Sequence, residues 1–118
     1  MTADDLLDMR IVRENMTVWG SDAAREMLAL ADGFAADARR AAARMRALAA
    51  NGDAALVAEE AHRLKGAAAS LGAAKVASEC FALEQRAREG RVADLARHID
   101  GVLAALEPTC ARFRSVLR

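Results

Sequence analysis

The chain has 118 residues, the size of one ordinary domain, and its 17 Lys and Arg balance 17 Asp and Glu. That balance argues against a nucleic-acid binder, which would carry a basic face, and no apolar run approaches the ~20 residues of a membrane span. Hydrophobic residues make up 54%, with alanine the commonest; Tyr is absent and Val and Ile are scarce, a composition that favours helices over strands. The start, Met1-Thr2-Ala3-Asp4-Asp5, is acidic and lacks the order of a signal peptide. Two cysteines, Cys80 and Cys110, make no disulfide framework and read as small buried hydrophobes. A cytoplasmic location is the expectation.

In chain order, a first helix is expected over about Asp4 to Val18, with Leu6, Leu7, Met9 and Ile11 apolar and Gly20 as its stop. Ser21 or Asp22 can cap a long second helix, in which Met27, Leu30, Ala31, Phe34, Ala38, Ala41, Met45 and Leu48 recur near helical spacing. Arg39, Arg40, Arg44 and Arg46 read as its solvated face. Asn51-Gly52-Asp53 ends it, with Asp53 available to cap the third helix, which runs to Leu71 and stops at Gly72. A fourth helix is expected from about Ala73 to Glu89, stopped by Gly90. A fifth starts near Arg91 with Leu95, Ile99, Val102 and Leu106 in register; Gly101 weakens it, and Pro108 should kink or restart it.

Short Gly-marked turns between long helices imply antiparallel neighbours. The expected fold is all-α: one domain over 1–118, with an N-terminal capping helix at about 1–20 and an up-down four-helix bundle over about 21–118. The alternative is a helical hairpin that completes a bundle by dimerising; a monomer is the expectation.

The two histidines differ in setting. Val57, Ala61, Leu64, Ala68 and Leu71 form one narrow stripe on the third helix, and His62 falls roughly 140° from its centre at ~100° per residue. It should project away from the core. His98 lies on the flank of its own stripe without distinctive neighbours. Lys65 at i+3, Gly66 at i+4, Ala69 at i+7 and Ala58 at i−4 share the His62 face. A cation therefore stands beside the imidazole, and small residues border it. A mid-helix glycine costs ~1 kcal/mol relative to alanine, and close approach of a second surface is a reason to keep one.

Such a histidine suits phosphoryl acceptance. A neutral imidazole nitrogen is a nucleophile, and an ammonium stabilises the incoming negative charge. The other ring nitrogen needs an acceptor to hold its N–H. Glu84, at the edge of the fourth helix's stripe of Val76, Cys80, Leu83 and Ala87, could reach across, although it could equally pair with Arg88 at i+4.

The run Ala61-His62-Arg63-Leu64-Lys65-Gly66-Ala67-Ala68-Ala69-Ser70-Leu71-Gly72-Ala73, followed by Cys80, Leu83 and Glu84, resembles the histidine-containing phosphotransfer (HPt) domain of two-component phosphorelays. The close match covers about residues 57 to 90. The resemblance implies a phosphocarrier rather than an enzyme. His62 would take the phosphoryl group at Nε2 from a receiver-domain aspartyl phosphate and pass it to another receiver. Lys65 would neutralise the charge, Gly66 and Ala69 would leave room for the partner, and Glu84 would orient the ring through Nδ1. Arg63 sits where the family varies and is a possible docking contact. The family often carries a hydroxyl residue after the glycine, where this chain has Ala67-Ala68-Ala69. The implied partners are response-regulator receiver domains, including that of a hybrid histidine kinase, docking on an apolar patch from the first three helices. No cofactor is implied for this chain; a divalent metal ion would belong to the receiver.

Other readings are weaker. His62, His98, Cys80 and Cys110 offer ligand types for a metal but no ligand spacing. No Gly-rich phosphate loop supports nucleotide binding. A kinase dimerisation and phosphoacceptor unit also presents a helical histidine, usually followed by an acidic residue where this chain has Arg63. A receiver-binding module without phosphotransfer would keep the same helices.

Overall fold

The computed structural model describes residues 5–117. Five α-helices follow in order among these residues: α1 (Met9–Trp19), α2 (Ala23–Ala50), α3 (Ala54–Leu71), α4 (Ala74–Arg88) and α5 (Val92–Val116), with a 3₁₀ turn at Gly20–Asp22 between α1 and α2. Helix α3 packs between α2 and α4, and α5 closes the ring by packing on α4 and α2. The result is an all-α, four-helix bundle measuring 46 × 24 × 18 Å. Helix α1 lies across α2 and α3 at one end.

The core forms because each long helix buries one stripe. Met27 and Met45 of α2, Leu64 of α3, Leu83 of α4, and Leu95, Ile99 and Phe113 of α5 are almost wholly shielded. Between the two methionines α2 presents Ala31, Ala35, Ala38, Ala41 and Ala42 to the interior. Methyl groups at these positions let neighbouring backbones approach closely, so a chain poor in large apolar residues still fills its interior. Cys80 and Cys110 are buried and unbonded, and burial pushes the Cys80 thiol up to about 12.

The N-terminal segment departs from the expected pattern. Asp4, where the first helix was expected to begin, lies with Met1–Ala3 outside the described residues; α1 itself begins only at Met9. Leu6 and Leu7 precede it, yet both are buried. Their backbone is tied to the α3–α4 turn: the Asp8 N–H donates to the Gly72 carbonyl at 2.8 Å, and the Lys75 N–H donates to the Leu6 carbonyl at 3.2 Å. Asp8 is the helix cap, its Oδ1 accepting from the N–H groups of Arg10 at 3.0 Å and Ile11 at 3.4 Å.

Gly72 terminates α3 in the left-handed region, with φ +83°. A Cβ at this position would come within 3.0 Å of both the Asp8 carbonyl oxygen and Val12 Cγ2. The glycine thus serves the turn and the docking of α1 together.

Three local expectations are corrected. Asp22 and Asp53 stand at N-cap positions, but neither side chain makes a capping bond; Asp22 instead pairs with Arg25 at 3.2 Å. Pro108 does not restart the last helix, and α5 runs through it as one element. Pro108 and Ala104 are both exposed, so the helical bond that Pro108 cannot donate lies on the outer face of α5. Arg44 and Arg46 are not simply solvated: they reach Glu60 of α3 and Asp100 of α5.

Candidate functional site

His62 sits mid-way along α3 with its side chain 62% exposed. One turn on, Lys65 shares its face, and both reach toward α4, the helix most extensively packed on α3. There Glu84 occupies the boundary between the buried stripe and the surface. Its side chain is only 5% exposed, and every partner found for it is a nitrogen. His62 Nδ1 lies 3.0 Å from Oε2, Lys65 Nζ lies 2.8 Å from Oε1, and Arg88 donates to Oε2 from Nε at 3.0 Å and Nη2 at 2.6 Å. The two possibilities left open for Glu84, the histidine and Arg88, are both realised.

Burial pulls the Glu84 carboxyl upward, but the bonds from Lys65, Arg88 and His62 outweigh it and hold the group at about 2. Glu84 is therefore a carboxylate at neutral pH and can only accept. Its partner on a neutral imidazole must be Nδ1–H, an assignment made from the bonding partner. The lone pair is then left on Nε2, in a side chain that is 62% exposed. A buried anion, two cations and a directed imidazole make a site that can present a nucleophile to a negatively charged reagent.

Small residues keep this face low. Gly66 is exposed, and a Cβ there would meet nothing within 4 Å. No internal contact explains this glycine. Ala69 is exposed beside Ile11 in a shallow hollow where α1 meets α3. Ala58 differs from its expected placement: at 2% exposure it belongs to the core. Ser70 turns its hydroxyl back onto the Gly66 carbonyl at 3.0 Å.

Arg63 points the other way. It donates to Asp37 of α2 at 2.9 Å and to Glu60 at 2.5 Å, and Arg44 of α2 reaches the same Glu60 oxygen at 2.6 Å. The Arg63 bond is the main influence holding the Glu60 carboxyl below its usual range. This clasp fastens α2 to α3 beside His62 and does not join the Glu84 cluster. Beyond it opens an apolar groove of about 460 Å³ between α2 and α3, lined by Leu30, Gly33, Phe34, Ala67 and Leu71 among others.

Phe81 was not anticipated at the site. It lies outside the buried stripe of α4, is 50% exposed, and has the Lys65 ammonium 5.4 Å from its ring centre. The one signal in the sequence was a large apolar residue off the core register. His98 is partly buried on α5 and contributes nothing to the cluster. Among the described residues no group of three or more His, Cys, Asp or Glu is arranged to hold a metal ion, and no helix is long and apolar enough to cross a membrane.

The same fold occurs in two solved structures. Histidine-containing phosphotransfer protein B (HptB) from Pseudomonas aeruginosa PAO1 superposes with a TM-score of 0.81 at 24% identity, over 98% of this chain and 96% of that one. A putative histidine-containing phosphotransfer protein from rice gives 0.78 at 23% identity, over 99% of this chain and 85% of that one. At these identities the likeness speaks for the fold alone. No match was found among curated proteins. The model of the Hpt domain matches residues 29–115, which contain α3, α4 and the whole Glu84 cluster. The chain belongs to the Hpt domain family, the histidine-containing phosphotransfer proteins of phosphorelays.

Proposed function

We propose that this chain is a phosphorelay intermediate that accepts a phosphoryl group on His62 Nε2 from a receiver-domain aspartyl phosphate and passes it to another receiver. The reading rests above all on the 3.0 Å contact between His62 Nδ1 and a Glu84 carboxylate held at about 2, on a ring that is otherwise exposed. In the forward step the Nε2 lone pair attacks phosphorus, the N–P bond forms and the acyl-phosphate P–O bond breaks. The aspartate carboxylate leaves. The Nδ1 proton stays on the ring, and Glu84 balances the positive charge that develops there. Lys65 offers its ammonium to the phosphoryl oxygens, as charge spreads over them in the transition state.

Gly66 and Ala69 give the receiver's loops access, and the apolar α2–α3 groove supplies a docking surface next to Arg63. The chain acts as a carrier without a nucleotide site or a cofactor of its own; the divalent ion of the reaction belongs to the receiver. Its partners are receiver domains, including that of a hybrid kinase, and it works as a cytoplasmic monomer.

Incubation with a phosphorylated receiver tests this directly. The chain should gain an acid-labile phosphoryl group, and His62→Gln should gain none. Receiver binding without labelling of the unmodified chain would make it a pure interaction module, and labelling of His62→Gln would move the acceptor elsewhere.

A further inference from the structure

Lysine is a compact charge on a flexible stem, and holding it in one place costs entropy. Lys65 is held from two sides. Glu84 Oε1 takes one N–H at 2.8 Å, and the Phe81 ring lies 5.4 Å from Nζ, inside the ~6 Å reach of a cation–π contact. Phe81 and Glu84 are three residues apart on α4, so they flank the ammonium from adjacent positions on one helix face. Three phenylalanines are all the chain has, and this one leaves half its surface in water. A residue spent that way, outside the core, needs an external reason.

We propose that Phe81 is a positioning residue: its ring keeps the Lys65 ammonium at the His62 site while the ammonium exchanges a Glu84 oxygen for an arriving phosphoryl oxygen. The inference rests on the phosphotransfer reading and extends it to a residue outside the family motif. A π face attracts the charge without competing for carboxylate or phosphate oxygens. The contact can therefore persist through the step in which the ion pair changes partner. Without the ring, release from Glu84 would let Lys65 swing into solvent as often as toward the phosphoryl group.

An exposed phenylalanine beside such a site could instead be a docking contact for a protein partner. A small donor separates the two roles. Phosphoramidate has no protein surface; its N–P bond breaks, ammonia leaves, and His62 Nε2 takes the phosphoryl group. The rate of label appearing on His62 is measured for the unmodified chain, Phe81→Leu and Phe81→Trp, and again with Lys65→Ala in each. The expected result is about two- to fivefold slower labelling in Phe81→Leu, matching a partly exposed cation–π contact, with recovery in Phe81→Trp. In the Lys65→Ala background Phe81→Leu should change nothing, since two residues acting through one contact are not additive. Unchanged labelling in Phe81→Leu, or equal slowing with and without Lys65, would overturn the inference and leave the relay reading standing. No label on His62 in the unmodified chain would overturn the inference, while the receiver assay decides the relay reading on its own. Circular dichroism of each variant checks that the helices persist.

Discussion

Glu84 Oε2 lies 3.0 Å from His62 Nδ1, joining a side chain 5% exposed to one 62% exposed. In the proposed relay the nucleophile thus stands in water, while the group that would aim it is rooted in the bundle. Helix α4 supplies the carboxylate and α3 the imidazole, so the cluster depends on the α3–α4 interface as well as on its own residues. Lys65 on the other carboxylate oxygen makes the arrangement bidentate: one anion orients the ring and holds the cation.

This coupling sets a pH dependence. The Glu84 carboxyl falls from the ordinary 4.5 to about 2 in the folded chain. A depressed folded value stabilises the native state fully above about 4.5, and the contribution is lost as pH falls from there toward about 2. Glu60, also lowered, acts in the same direction. Urea denaturation of wild type and Glu84→Gln should therefore show midpoints that are furthest apart at neutral pH and converge below about 4.5. A difference independent of pH would mean that the Glu84 charge does not stabilise the fold.

Glu84→Ala goes further, because it strips three side chains of their acceptor. Arg88 and Lys65 retain some access to water, so the stability loss should be about 1–3 kcal/mol, the cost of one removed partner of a charge-assisted bond. Transfer should suffer more than stability, since a freed ring samples both tautomers and many orientations. Equal transfer rates in Glu84→Ala and wild type would remove Glu84 from the mechanism.

Spacing on α3 was enough to place His62 outside the core and Lys65 and Gly66 on its face, because helical periodicity converts directly into direction. It misplaced Ala58, since a residue at i−4 also nears the edge of the stripe that faces α2 and α4. Glu84 was legible only as a boundary residue. Its near-complete burial and its simultaneous hold on three side chains depend on how closely α3 and α4 pack, which no single-helix pattern encodes. Phe81 was legible only as a large apolar residue off the core register, and its contact with Lys65 depends on the same packing. Leu6 and Leu7 misled the reading of the first helix: they are core residues delivered by a non-helical segment, and apolar spacing cannot tell that from a helix face. The residue types at the caps were right at Asp22 and Asp53, but their side chains found other company or none.

The N-terminal docking gives a stability prediction independent of the site. Gly72 combines φ +83° with 3.0 Å approaches to Asp8 and Val12. Gly72→Ala must strain the backbone and push α1 away, at a cost of about 1–3 kcal/mol. Hydrogen exchange should then accelerate at the Asp8 and Lys75 amides, which bond across this junction. Unchanged exchange at both amides would show that α1 does not need the close approach.

The Arg63 clasp should matter less. Arg63 is 47% exposed and Asp37 32%, and solvent screens such pairs, so Asp37→Ala should cost no more than about 1 kcal/mol. The informative measurement is receiver affinity. Releasing one of the two acceptors of Arg63 leaves the guanidinium freer to meet a partner, so affinity should hold in Asp37→Ala and fall in Arg63→Ala. Equal affinity in both would take Arg63 off the docking surface.

Gly66 separates stability from function most cleanly. A Cβ at this position meets nothing within 4 Å, and the glycine lies inside α3. Gly66→Ala should therefore raise stability by about 0.5–1 kcal/mol through helix propensity and a less entropic unfolded chain. A bulky replacement such as Gly66→Gln would also fold, because its side chain extends into solvent, but it would rise beside His62 where a receiver must approach. Transfer from a phosphorylated receiver should fall steeply in Gly66→Gln, while labelling by phosphoramidate, a donor small enough to pass, changes little. If both donors slow equally, the bulk acts on the histidine itself; if neither slows, the open face of α3 is not where the partner comes in.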